Sequence, residues 1–116
     1  PSTTPVLPDD KELLRGKCII AIGSYMPEMR EIPDAVLDLV DNVYIELPYA
    51  CEESGDLSQP LASGKLTKDR IKLMHEYLVS GEKEIKEGQT TYFKSVGMGL
   101  FDVCIAQKLY EVAKEK

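Results

Sequence analysis

Hydrophobic positions along this chain follow two periods, and the switches between them outline the elements. Residues 17–22 form a short apolar run with the β-branched Ile19, Ile20 and Ile22. That pattern predicts a strand buried on both faces, as in a parallel sheet. Gly23 ends it. Pro33-Asp34 then opens a short helix whose apolar set is Val36, Leu37, Leu39 and Val40, with Asp34 at the positive end of the dipole. Asp41-Asn42 breaks this helix, and residues 43–47, VYIEL, predict a second strand that Pro48 stops. Strand, helix and strand in this order predict a βαβ unit with parallel pairing.

Residues 1–10 hold three prolines and read as extended or loop-like. Residues 48–66 read as loop-rich, with room for one helical turn at Cys51-Glu52-Glu53. Thr67 reads as the N-cap of a helix to about Ser80, with Ile71, Met74 and Leu78 on one face and Gly81 as the stop. The charged stretch 82–88 reads as solvated surface. TTYFKSV, residues 90–96, predicts another strand, and 97–116 a long helix. That helix is apolar almost all round from Met98 to Ala106 and then amphipathic, a pattern that calls for cover on every side. The sum is an α/β architecture: a parallel sheet of about three strands, flanking helices and a long C-terminal helix.

Composition narrows the function classes. The chain has 116 residues and a net charge of −6, with lysines interleaved among acids, so it presents no basic face for nucleic acid. No apolar run reaches the length of a membrane span. Its first residue is proline, which reads as processing or as part of something longer. The three cysteines show no Cys-x-x-Cys pair, so no zinc site is indicated. Cys18 and Cys104 read as buried structural thiols, and reduced cysteines suit the cytoplasm.

Candidate chemistry is sparse. There is no Gly-x-Gly-x-x-Gly and no Gly-x4-Gly-Lys-Ser/Thr; Gly97-Met98-Gly99 reads as close helix packing. His75, the only histidine, falls on a polar helix side, so no triad is indicated. Glu52, Glu53 and Asp56 read as a solvated acidic loop. Two strand ends remain, Gly23-Ser24 and Lys94-Ser95-Val96-Gly97, because ligands in open α/β sheets sit at the carboxyl ends of strands. Backbone N–H groups and the Ser95 hydroxyl there suit an anion, or Ser95 is a plain N-cap.

In order, these pieces resemble the ornithine cyclodeaminase/mu-crystallin family. The carrying residues are PSTTPVL (1–7), GKCIIAIGSYMPEMREIPDAVL (16–37), VYIE (43–46), ESGDL (53–57) and TTYFKSVGMGLFDVCIAQKLYEVAK (90–114). The resemblance implies the C-terminal part of such a protein. Residues 1–96 would be the second half of a Rossmann-like dinucleotide-binding domain, and 97–116 a helix that packs on a substrate domain encoded upstream. It implies NAD or NADP as cofactor of the complete protein, with very weak or no binding by this chain alone. By position, Ser2, Thr3 and Thr4 would lie beside the nicotinamide, Ile20, Ala21, Ile22, Gly23 and Ser95 would contact the cofactor, and Val96 would line the substrate pocket.

One departure bears on the reaction. The family's catalytic aspartate position is Tyr25 here, and the lysine expected four residues on is Met29. A phenol, which ordinarily ionises only near a pH of about 10, substitutes poorly for a carboxylate. The expectation is therefore an NAD(P)-dependent reductase resembling the imine (ketimine) reductases or amino-acid dehydrogenases of the family, acting on a small amino acid or imine. This chain would be inactive by itself, and the complete protein would be a homodimer or be completed by an upstream segment. A true ornithine cyclodeaminase and a degenerate, non-catalytic binding or regulatory module are the alternatives. A flavodoxin-like enzyme using the Gly23 loop is a further reading, which flavin absorbance would reveal.

Overall fold

Residues 2–81 and 85–115 are described by the computed structural model of the chain. Residues 2–10 carry no helix or strand, in line with their prolines. Helix α1 (Lys11–Leu14) starts where the Asp10 carboxylate accepts hydrogen bonds from the N–H of Glu12 and Leu13. Strand β1 (Cys18–Ala21) follows, then α2 (Asp34–Leu39), entered through Pro33, and β2 (Val43–Ile45). The segment read as loop folds into α3 (Ala50–Glu53) and α4 (Gly55–Ser63). α4 contains Gly55 and Pro60, which conceal it in the sequence. The Ser54 hydroxyl caps its start, and Gly64, with φ of 77°, ends it in the left-handed region.

The helix expected from Thr67 to Ser80 is instead a 3-10 turn (Lys68–Arg70), strand β3 (Ile71–Leu73) and helix α5 (Met74–Ser80). The Arg70 guanidinium donates to the carbonyls of Leu37, Val40 and Asp41, which pins this segment to the end of α2. There the free edge of β2 supplies backbone partners, and the ladder overrides the helical period. Ile71 and Leu78 therefore do not share one helix face, and Leu78 is exposed. Strand β4 (Thr91–Lys94) and the long helix α6 (Gly99–Lys114) complete the chain. Of the charged stretch 82–88, residues 82–84 lie outside the described residues, and 85–88 are exposed.

The described residues form one parallel sheet in the order β1-β4-β2-β3, so it has four strands rather than about three. The β1-α2-β2 unit keeps its parallel sense, but β4 is inserted between the two strands. Register sorts the side chains. Ile19, Tyr92 and Val43 form one row, and Ala21, Lys94 and Ile45 another. All six are buried, in a core completed by Val36, Leu37, Ala50 and Leu57. On the opposite face Tyr44 packs edge-on against Tyr77 of α5, with ring centres 5.2 Å apart. Over β1 that face is open, and Ile20 is 64% exposed. β1 is thus buried on one face only, not both.

α6 buries none of its residues; Leu100, Phe101, Val103, Ile105 and Leu109 are all exposed. Its projection makes the molecule 50 Å long and raises the radius of gyration to 15.8 Å, against about 13 Å for a compact domain of this length. Cys18 and Cys104 are exposed too, contrary to the buried thiols expected. Both belong to surfaces whose apolar pattern is not covered within this chain. Among the described residues, no helix is long and apolar enough to cross a membrane.

Candidate functional site at the carboxyl edge of the sheet

Because all four strands are parallel, the turns after β1, β4 and β2 emerge on one edge. β1 and β4 are neighbours, and the Ser95 N–H donates to the Ala21 carbonyl over 3.0 Å. The two strand ends singled out in the sequence therefore lie side by side.

At the β1 end, the Gly23 and Ser24 N–H groups converge on one acceptor, the Oε2 atom of Glu31, at 2.7 and 3.1 Å. A Cβ on Gly23 would collide with that carboxylate, so the position requires glycine. Ser24 is buried; its hydroxyl donates to the Met29 carbonyl at 2.7 Å and shares a 2.8 Å hydrogen bond with the Ser54 hydroxyl. Gly55 packs so tightly on the loop that its own Cβ would strike the Pro27 and Met29 carbonyl oxygens. Asp56 accepts from the N–H of Glu31 and Ile32 at 2.8 and 3.0 Å. Ser54-Gly55-Asp56 thus clamps the loop that follows β1. Asp56 is 1% exposed, which corrects the reading of a solvated acidic loop; Glu52 and Glu53 are exposed as that reading expected.

Lys94, at the end of β4, is fully buried, with its ammonium 3.4 Å from Asp56 and 3.5 Å from Glu31. A buried ammonium requires such company. Burial raises the Glu31 carboxyl pKa, but the Gly23 and Ser24 hydrogen bonds and the Lys94 charge outweigh it and hold the group below the ordinary value. Tyr92, one row deeper, is pushed well above the usual phenol range by burial and by the charges of Asp56 and Glu31.

The β4 end has the same construction. Glu46 is buried, and its Oε1 accepts from the Ser95 hydroxyl at 2.9 Å, Val96 N–H at 2.6 Å and Gly97 N–H at 3.1 Å. The Gly97 N–H also donates to the Ser95 hydroxyl, and the Tyr49 hydroxyl donates to the Gly97 carbonyl. Gly97 takes φ of 83° here. The Ser95 hydroxyl therefore points its proton inward. Both N–H pairs on this edge are filled by the protein's own carboxylates, and neither is free for a phosphate.

What the edge leaves open is apolar. Ile22 is 71% exposed and Tyr25 53%, beside the exposed Ile20. Ala21 is buried and contributes backbone, and Val96 is partly buried against the core. Ser2 reaches this region through its carbonyl, which accepts from Arg30 N–H at 2.7 Å, while its hydroxyl bonds to Thr4; Thr3 is exposed. The structure thus gathers the predicted residues on one edge. Sequence reasoning missed Glu31, Glu46, Asp56 and Lys94. The available signal was the charge itself: Glu46 and Lys94 sit in strand patterns where a charge needs a partner. Among the described residues, no group of three or more His, Cys, Asp or Glu side chains could hold a metal ion.

The family model described as ornithine cyclodeaminase/mu-crystallin family matches residues 1–116. Delta(1)-pyrroline-2-carboxylate reductase of Bacillus cereus is 36% identical over 118 residues, covering 99% of this chain and 36% of the reductase. Among solved structures, a probable ornithine cyclodeaminase from Bordetella pertussis matches with a TM-score of 0.80 and 29% identity over 99% of this chain and 37% of that one. Delta(1)-pyrroline-2-carboxylate reductase of Thermococcus litoralis, solved with NADH and L-proline, matches with a TM-score of 0.79 and 24% identity over 98% of this chain and 36% of that one. The chain spans about a third of the length of the relatives it matches, 36% of the Bacillus cereus enzyme.

Proposed function

The chain belongs to the ornithine cyclodeaminase/mu-crystallin family, and from that premise we propose that it is the C-terminal part of an NAD(P)-dependent reductase of a small imino acid. The likeness to Delta(1)-pyrroline-2-carboxylate reductase over 99% of the chain carries this reading. The strand-end chemistry supports it. A cyclodeaminase of the resembled type needs a carboxylate where this chain has Tyr25. Imine reduction adds a hydride to carbon and a proton to nitrogen, and places less demand on that acid.

The edge fits the uncharged end of a dinucleotide. Its N–H pairs are closed by Glu31 and Glu46, which suits no phosphate, whereas Ile20, Ile22 and Tyr25 offer an apolar surface for a flat ring. In this proposal Ile20, Ala21, Ile22 and Gly23 hold the nicotinamide end, with Ser2 and Thr3 at its border. Ser95 contributes through the corner it builds with Glu46, and Val96 lines the substrate side. The bound cofactor would supply the hydride. Residues 1–96 act as half of the dinucleotide-binding domain. The exposed α6, residues 97–116 in this reading, covers the substrate domain, and the complete protein is a homodimer.

The test is consumption of NADH or NADPH by the intact protein with Delta(1)-pyrroline-2-carboxylate. Turnover is expected with the imine and none with ornithine. Ammonia release from ornithine with no imine reduction would instead establish the second reading, a cyclodeaminase, which the 29% likeness to the Bordetella protein favours. Residues 1–116 alone are expected to bind dinucleotide very weakly or not at all; micromolar affinity would overturn that expectation.

A further inference from the structure

Glu31 has more tethers than a loop residue needs. Its carboxylate holds the Gly23 and Ser24 N–H groups through one oxygen and lies 3.5 Å from the buried Lys94 ammonium. Its N–H is fixed by Asp56, and its carbonyl accepts from Val6 N–H at 2.9 Å. One residue thus ties the turn after β1 to the start of α4, to the end of β4 and to the N-terminal segment. Tyr25 follows directly on that turn. Among the described residues its hydroxyl has no hydrogen-bond partner, so the backbone of the turn, and not its own side chain, sets where it stands.

We propose that Glu31 is a positioning residue: its carboxylate stands in for a bound anion in the Gly23-Ser24 turn and so fixes how Ile22 and Tyr25 are presented to cofactor and imine. The role is to hold geometry, and Glu31 itself touches neither ligand. This rests on the reductase reading above. Glycine at position 23 fits the role, since any side chain there would expel the carboxylate. Both hydrogen bonds fall on a single oxygen, so a glutamine carbonyl at position 31 is able to replace it.

The experiment compares the intact wild type with E31A, E31Q and G23A, each well below its melting temperature. NADH affinity is read by titration, and kcat and KM by imine reduction. E31A is expected to lower kcat/KM by about 10²-fold, since misplacement by an ångström costs that much, with the loss falling on kcat and cofactor affinity; E31Q should stay within about threefold of wild type. G23A should reproduce E31A while keeping the charge beside Lys94, and it decides the matter if E31A does not fold. E31A and G23A indistinguishable from wild type would overturn the proposal. So would E31Q as impaired as E31A, which would assign the effect to charge alone. A wild type that binds NADH but reduces no imine sinks the reductase reading and leaves the affinity comparison to decide this one. A wild type that binds no dinucleotide overturns both.

Discussion

Replacing Asp56 by alanine removes the anchor of the loop after β1, and its cost can be worked from the structure. Two donors lose their acceptor, the N–H of Glu31 at 2.8 Å and that of the buried Ile32 at 3.0 Å. Each buried donor left unpaired costs about 1–3 kcal/mol. Lys94, fully buried, keeps only Glu31 as a counter-charge. Breaking one side of a buried pair costs about 3–5 kcal/mol. These contributions overlap, because all of them act through one loop. A net loss of about 4 kcal/mol is expected, a large share of the roughly 5–15 kcal/mol that holds a domain together. D56N keeps an oxygen for the two N–H groups and loses only the charge, so about half that loss is expected. Equilibrium urea unfolding of the purified protein measures both variants. In the double variant D56A/K94M the stranded ammonium is gone, so the two losses should fall short of their sum by at least about 1 kcal/mol. A loss below about 1 kcal/mol for D56A, or strict additivity with K94M, would refute the reasoning.

Gly55→Ala places a Cβ against the Pro27 and Met29 carbonyls, so a loss of about 2–3 kcal/mol is expected, although helix propensity alone would make alanine stabilising; a raised melting temperature would contradict it. Cys18 and Cys104 are exposed, whereas the Cys51 thiol is pushed up by burial, which the nearby Lys68 opposes and Glu52 reinforces. Thiol titration of this chain should therefore show two fast sites and one slow one, and three equal rates would be the contrary result. The Glu31 pKa is lowered on folding, so its contribution to stability is complete above the unfolded carboxyl value and lost as pH falls through the folded one. E31Q should then be less stable than wild type at neutral pH and approach it at about pH 3; a gap that widens in acid would reverse the sign.

The legible parts of the fold are those where local pattern and tertiary need agree. The apolar run at 18–21, the Pro33-Asp34 helix entry and the β-branched VYI at 43–45 each specify their element within a few residues. α4 is not legible, because Gly55 and Pro60 oppose a helix on propensity. They are kept where Gly55 meets the loop backbone and Pro60 is buried. β3 is hidden because Ile71, Met74 and Leu78 carry a helical period, and only the free edge of β2 and the Arg70 staple draw Ile71–Leu73 into the sheet. The candidate site divides in the same way. Gly23, Tyr25 and Ser95 are visible as strand-end residues. Glu31, Asp56 and Lys94 are not, because their meaning lies in each other, and they are far apart in the chain.

The sequence by itself determined the α/β class, the strand ends where chemistry belongs, the family resemblance and the departure at Tyr25, since each is written in neighbouring residues. Only the tertiary structure decided that β4 enters between β1 and β2 and that the carboxylates of Glu31 and Glu46 close the two turns whose N–H groups suit an anion. The physical reason is that a backbone N–H shows no preference between a ligand's oxygen and the protein's own. Which oxygen arrives depends on how distant segments pack.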